Sequence, residues 1–255
     1  MNEELRTNPT FATETRPSSP LTVGIVVAME HEFNAVREEL LSQAAVETID
    51  CSQVVQGVLD SVHYVIFQSG IGTTNAAAGA CDLITRFRPC CLLNLGTTAL
   101  ISDPERKLRI GDVLVGELHQ QWDLDLGGPI TSTWTAKRSY VDVLQTDRLR
   151  PDQQLWDLLI DSGADVYPSI QFTGNSFFCS DEQRQLLPDA ARPVAVDMES
   201  FAVAQVAARK GVPFLSLRGI TDTGSASANE DFYANVRQAS RNSARVARRL
   251  AGSLG

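Results

Sequence analysis

The sequence predicts an α/β protein with a mainly parallel sheet covered by helices on both faces. Apolar runs of strand length alternate with segments of helical period from residue 21 onward. Residues 62–95 form a strand–helix–strand unit. A content of 43% hydrophobic and 21% charged residues over 255 positions is the balance of a soluble globular chain. In such folds the chain turns at the carboxyl ends of the strands, and ligand sites form there.

Residues 1–20 are rich in Thr, Glu, Pro and Ser, carry no apolar period, and predict a disordered tail. Residues 21–255 follow as a single catalytic-sized domain. Leu21–Ala28 is the first strand, and His31–Leu41 has the period of a helix. Val62–Phe67 is strand-like, Ser69–Gly72 a turn, Thr73–Phe87 an Ala-rich helix and Cys91–Leu95 the next strand. Gly111–His119 predicts another strand. Met198–Lys210 predicts an amphipathic helix stopped by Gly211 and Pro213. Phe214–Ile220 is then a strand, and Asn235–Leu250 a closing helix with its arginines toward solvent.

A net charge of −9 argues against a nucleic-acid or anionic-membrane partner. No apolar stretch reaches the roughly 18 residues of a membrane span, and the N-terminus lacks the apolar core of a signal peptide, so a cytoplasmic location is expected. Five cysteines without CxxC spacing and three histidines far apart (His31, His63, His119) predict neither a disulfide framework nor a metal site.

Several segments carry both a chemical and a structural reading. Ser69-Gly-Ile-Gly72 opens a helix after a strand, where backbone N–H groups face a polar ligand or simply close a tight turn. It lacks the third glycine and the acidic partner of a dinucleotide fingerprint, and no Walker lysine follows. Asp222 follows a strand and precedes a loop of small residues. A partly desolvated carboxyl there would hold its proton and act as a donor, whereas the plain alternative is a helix cap or Asx turn. In Val196-Asp-Met-Glu199 the acids either suit the dipole of a first helical turn or present a carboxylate to a ribose diol. Glu32 either holds a water or sugar hydroxyl or is a solvated first-turn acid. Phe177 and Phe178 offer an aromatic face to a base or belong to the core. No GxSxG elbow surrounds any serine.

Seven stretches occur in an order that resembles the nucleoside phosphorylase/nucleosidase superfamily, most closely its 5′-methylthioadenosine/S-adenosylhomocysteine nucleosidase branch. They are Val23-Gly-Ile-Val-Val-Ala-Met-Glu-His-Glu32, Gln68-Ser-Gly-Ile-Gly72, Leu93-Asn-Leu-Gly-Thr97, Gly111-Asp-Val-Leu-Val115, Phe172-Thr-Gly-Asn-Ser-Phe-Phe178, Val196-Asp-Met-Glu199 and Arg218-Gly-Ile-Thr-Asp222. The resemblance implies a three-layer α/β/α fold with a mostly parallel, mixed central sheet, a homodimer, and hydrolysis of a 5′-modified purine nucleoside with release of adenine. It implies Asp222 as the acid that protonates the purine at N7, Glu32 as the holder of the attacking water and Glu199 as the holder of the ribose hydroxyls. Met198 would lie against the sugar, Phe177 would stack on the base and the Phe178 main chain would read its edge. Arg218 would orient Asp222, Phe232 would line the 5′ pocket, and Ser69 and Thr97 would stand on the two substrate loops. This chemistry requires neither metal nor organic cofactor.

Phosphorylases of the superfamily place arginines where this chain has Ala28-Met-Glu-His-Glu32 and Asn94-Leu-Gly-Thr97, so water is the expected nucleophile. Three positions depart from the branch. Gly96-Thr-Thr-Ala99 replaces a smaller loop and adds bulk where the nucleoside approaches, Asp197 replaces a Glu, and Asn175 replaces an Asp. Phosphorolysis, a futalosine-type hydrolase and a nucleoside-binding module without turnover are the alternatives.

Overall fold

The structure, a computed structural model, describes residues 20–124, 148–188 and 190–254. The tail expected over residues 1–20 lies outside the described residues except for Pro20. The chain runs β1 (Thr22–Val27), α1 (Glu30–Leu40), β2 (Val46–Ile49), β3 (Ser52–Leu59), β4 (Val62–Gln68) and α2 (Thr73–Phe87). It continues with β5 (Cys91–Ser102), β6 (Val113–Gln121), α3 (Gln153–Asp161), β7 (Tyr167–Thr173) and α4 (Asp181–Arg184). The last elements are β8 (Val194–Asp197), α5 (Ser200–Lys210), β9 (Phe214–Asp222) and α6 (Ala228–Gly252).

The strands form one sheet in the order β2-β3-β4-β1-β5-β8-β7-β6-β9, and β9 returns to pair with β5. Pairings β1–β4, β1–β5, β5–β9, β6–β7 and β7–β8 are parallel. Those of β2–β3, β3–β4, β5–β8 and β6–β9 are antiparallel. The predicted mixed, mainly parallel sheet is therefore present. Because β5 touches β1, β8 and β9, its far end is where the two halves of the sheet diverge, and the diverging strand ends leave a crevice.

Successive side chains of a strand face opposite layers. Val23, Ile25, Leu93, Leu215 and Leu217 pack with Phe33 of α1 and Ala247 and Leu250 of α6. Val26, Phe67 and Leu92 pack with Ala80 and Leu83 of α2 and Ala204 and Ala207 of α5. These two cores make the three layers. Each fully buried Leu or Phe contributes about 1.5–3 kcal/mol relative to exposure. β5 and β9 are buried along almost their whole length, which explains why they read as continuous apolar runs.

The predicted helix Thr73–Phe87 has the observed boundaries, and Gly211 caps α5 in the left-handed conformation with φ 67°. Most other boundaries shift by one or two residues, and four differences bear on the site or the closing helix. The strand expected to stop at Leu95 continues to Ser102, so Gly96-Thr-Thr-Ala99 is strand rather than loop: it pairs with β9 and, from Ala99, with β8. Asp222 ends β9 instead of following it. The helix expected from Met198 starts at Ser200, because Val194–Asp197 is a short strand. The closing helix starts at Ala228 rather than Asn235, its acidic first turn with Glu230 and Asp231 favoured by the helix dipole. The β2–β3 pair, α3 and β7 were not predicted. β2 is exposed and only four residues long, and β7 carries Pro168 beside polar Ser169 and Gln171, so neither has the apolar run of a central strand. Arg237, Arg245 and Arg248 on α6 face solvent as expected and pair with Glu38, Glu39 and Asp60. Among the described residues, no helix is long and apolar enough to cross a membrane.

Candidate active site

The carboxyl ends of β1, β8 and β9 and the middle of β5 border a cavity of about 440 Å³. It takes in Glu32, Thr97, Phe177, Phe178, Met198, Glu199, Asp222 and Phe232, so eight of the ten predicted site residues meet there.

Glu32 enters from the first turn of α1 and is almost fully buried. Its Oε2 accepts from the amides of Ala28 at 3.2 Å and Met29 at 3.1 Å. Its Oε1 accepts from the amide and the hydroxyl of Thr97, both at 2.9 Å. Such an approach requires glycine at position 96. With φ at +147°, a Cβ there would lie 2.5 Å from Glu32 Oε1 and 2.8 Å from Arg218 Nη1. Thr97 thus serves as a partner of the carboxylate. The next hydroxyl, on Thr98, donates to the Val196 carbonyl at 2.8 Å. Both threonines direct their polar groups at protein partners, and the added bulk expected here leaves the cavity open.

Asp222 is 1% exposed and lines the cavity. Its Oδ1 accepts from the Gly224 amide at 2.9 Å, which is the Asx turn foreseen as its structural role. Its Oδ2 accepts from the Thr221 hydroxyl at 2.8 Å. Burial pushes its pKa above the ordinary aspartate value, and these two hydrogen bonds oppose that shift. Among the described residues no cation pairs with it. The turn and a carboxyl of raised pKa coexist in one side chain.

Both acids of Val196-Asp-Met-Glu199 precede α5, whose first turn holds no acid. Asp197 Oδ1 accepts from the amides of Glu199 at 3.1 Å and Ser200 at 3.0 Å, so it holds the turn that leads into α5, and Thr173 donates to the same oxygen at 2.8 Å. Glu199 instead receives the Gly72 amide on Oε1 at 2.9 Å. Gly72 makes this bond with φ at +91°, a conformation glycine adopts at little cost. Burial raises the Glu199 pKa to about 7, against the attraction of Arg218.

Arg218 is buried beneath the cavity rather than in its wall. It donates to Asn94, to the Thr97 carbonyl at 3.3 Å and to Ser200 at 3.2 Å, and lies 3.4 Å from Asp197 and 3.5 Å from Glu199. The structure therefore corrects its expected partner. It supports Glu199, and none of its hydrogen bonds goes to Asp222.

Phe177 and Phe178 split between the two readings. Phe178 is buried edge-on to Trp122 with centroids 5.2 Å apart, whereas Phe177 is 39% exposed at the rim, edge-on to Phe232 at 5.8 Å. Asn175 joins their loop to the start of α2 by accepting from the Thr73 amide at 3.0 Å and hydroxyl at 3.1 Å. Ser69 is not in the cavity wall, since its hydroxyl donates to the carbonyls of Val27 at 3.2 Å and Gly70 at 3.0 Å. Sequence reasoning missed Met29, Ile71, Ser176, Thr221, Asn229 and Tyr233 in the wall. Asn229 stands three residues before Phe232 and four before Tyr233 on α6, a helical spacing that could have revealed them.

Glu32, Asp197, Glu199 and Asp222 all border the cavity, and among its described lining residues there is no Lys, Arg or His. Such a wall disfavours a dianion and suits a neutral or cationic sugar centre.

A family model for the phosphorylase superfamily matches residues 22–251. A 5′-methylthioadenosine/S-adenosylhomocysteine nucleosidase from Exiguobacterium sp. is 31% identical over 89% of this chain and 95% of its own. The nucleosidase of the same name from Neisseria meningitidis, solved with methylthio-immucillin-A, superposes with a TM-score of 0.76 at 25% identity, covering 91% of this chain and 99% of that one. The futalosine hydrolase of Helicobacter pylori shares the fold at a TM-score of 0.76 and 22% identity, over 90% of this chain and 97% of that one. The chain belongs to the phosphorylase superfamily, in its 5′-methylthioadenosine/S-adenosylhomocysteine nucleosidase branch.

Proposed function

We propose that this protein hydrolyses the N-glycosidic bond of a 5′-modified purine nucleoside of the methylthioadenosine or S-adenosylhomocysteine class and releases adenine. As the C1′–N9 bond breaks, the ribose gains oxocarbenium character and the bonding pair passes to the purine. Asp222 gives its proton to N7 of the departing base. Glu32, with Thr97, holds the water whose oxygen bonds to C1′, and Glu32 takes the proton released by that water. Exchange with solvent resets both carboxyls. Glu199 accepts from the ribose hydroxyls, Met198 packs on the sugar, and Phe177 and the Phe178 main chain receive the base. Phe232 borders the 5′ substituent, and Ser69 holds the turn that presents the Gly72 amide.

The observation that carries this reading is Asp222: a buried carboxyl with a raised pKa, facing the cavity with no cation paired to it among the described residues. The acidic wall supports water over phosphate as nucleophile. The working unit is proposed as a homodimer, as the family resemblance implies, of one catalytic domain spanning residues 21–255, with the cytoplasmic location that the sequence pattern predicts.

Incubation with methylthioadenosine, S-adenosylhomocysteine, adenosine and futalosine, with and without phosphate, tests it. Free adenine and free 5-substituted ribose are expected. Formation of ribose 1-phosphate would make the protein a phosphorylase, turnover of futalosine alone would reassign its substrate, and binding without base release would make it a nucleoside-binding module.

A further inference from the structure

The element between the base-facing loop and β8 is α4, four residues long, and its last two side chains reach in different directions. Gln183 turns back to the loop. Its Nε2 donates to the Phe177 carbonyl at 3.1 Å and the Ser176 hydroxyl at 3.1 Å, and its Oε1 accepts from the Cys179 amide at 2.8 Å. Arg184 reaches forward. Its Nη1 donates to the Thr223 carbonyl at 2.6 Å and its Nη2 to the Ile101 carbonyl at 2.9 Å.

Thr223 lies between Asp222 and Gly224, whose amide holds Asp222 Oδ1 at 2.9 Å. Gly224 packs tightly here, since a Cβ on it would lie 2.8 Å from Ile101 and 3.4 Å from Phe178. The planar guanidinium spans two carbonyls, Ile101 near the end of β5 and Thr223 in the turn after β9, which a single ammonium cannot do in the same geometry.

We propose that Arg184 is a positioning residue that seats the proton donor: it anchors the Thr223–Gly224 turn against the end of β5 and, through its neighbour Gln183, ties the base-binding loop to that turn. The inference deepens the hydrolase reading and rests on Asp222 as the acid. Through Gln183 and Arg184, α4 links the Phe177 loop to the carbonyl clamp beside the acid. Other charged groups around Asp222 are Asp231 from α6, Glu32 and Glu199 across the cavity and Arg218 beneath it; of these, Asp231 opposes ionisation of Asp222. The Gly224 amide favours the ionised carboxyl, so loosening the turn keeps Asp222 protonated to higher pH.

The test is kcat/KM for base release against pH on the full chain, for wild type, Arg184→Gln and Arg184→Lys. For Arg184→Gln, kcat is expected to fall about tenfold with little change in KM, and the alkaline limb to move upward by about half a pH unit or more. Arg184→Lys, which keeps the charge but not the fork, is expected to move the limb the same way by less. It decides the matter if the glutamine variant does not fold. An active wild type whose alkaline limb stays in place in the folded variants would overturn the inference alone. A wild type that releases no base would overturn the hydrolase reading and the inference together.

Discussion

The backbone amide of Gly72 donates to Glu199 Oε1 at 2.9 Å across 127 residues of sequence. This bond joins a glycine turn after β4 to the N-terminal edge of α5, two features that separately have ordinary structural explanations. Together they set a buried carboxylate at the cavity with one oxygen fixed. Arg218 approaches the other oxygen at 3.5 Å from below.

Replacing Asp222 by Asn keeps the shape and removes the transferable proton. Base release should fall by about 10² to 10⁴ in kcat. Thermal unfolding should change little or rise slightly, because a buried titratable group has been neutralised. Steady-state rates beside melting curves separate these effects, and a rate within threefold of wild type would remove Asp222 from the chemistry.

Glu199 should mark the pH dependence of stability. Its pKa is raised from 4.5 to about 7 in the fold. The native state therefore binds more protons than the unfolded chain between those values, so this group's contribution is fully present below about 4.5 and is lost as pH rises through about 7. Relative to wild type, Glu199→Gln should gain stability between pH 5 and pH 8, by up to about 3 kcal/mol. Denaturant unfolding of both proteins at the two pH values checks the sign.

Thr97→Val deletes one of the four donors to Glu32 and retains the backbone amide. The expected cost is about 1 kcal/mol of stability and roughly a tenfold loss in kcat, as the carboxylate and its water lose a fixed partner. Gly96→Ala at the preceding position should be far worse, since the added carbon meets Glu32 and Arg218 inside contact distance. Comparison of the two variants by melting temperature distinguishes a lost bond from a steric clash.

Phosphate should leave the rate of base release unchanged, because the described cavity wall presents carboxylates and no cationic side chain. Progress curves with up to tens of millimolar phosphate, with the sugar product identified by mass, provide the measurement.

Composition and period alone determined the α/β class, the strands read at Leu21–Ala28 and Val62–Phe67 to within a residue at each end, the helix Thr73–Phe87 and the stop at Gly211, because those segments repeat apolar residues at the spacing of a buried face. The ordered motifs brought forward Glu32, Glu199 and Asp222, since acids at strand ends in an α/β chain stand where a crevice must open. Tertiary structure alone decided which acid does what. Asp197 and Glu199 are two residues apart and chemically alike, yet one holds the turn into a helix and the other meets Gly72 from a distant turn. Arg218 serves Glu199 rather than Asp222, and Arg184 reaches the acid's turn from a helix with no apolar period of its own. Burial and long-range partners set a carboxyl's proton affinity, and these arise only when strands distant in sequence are brought side by side.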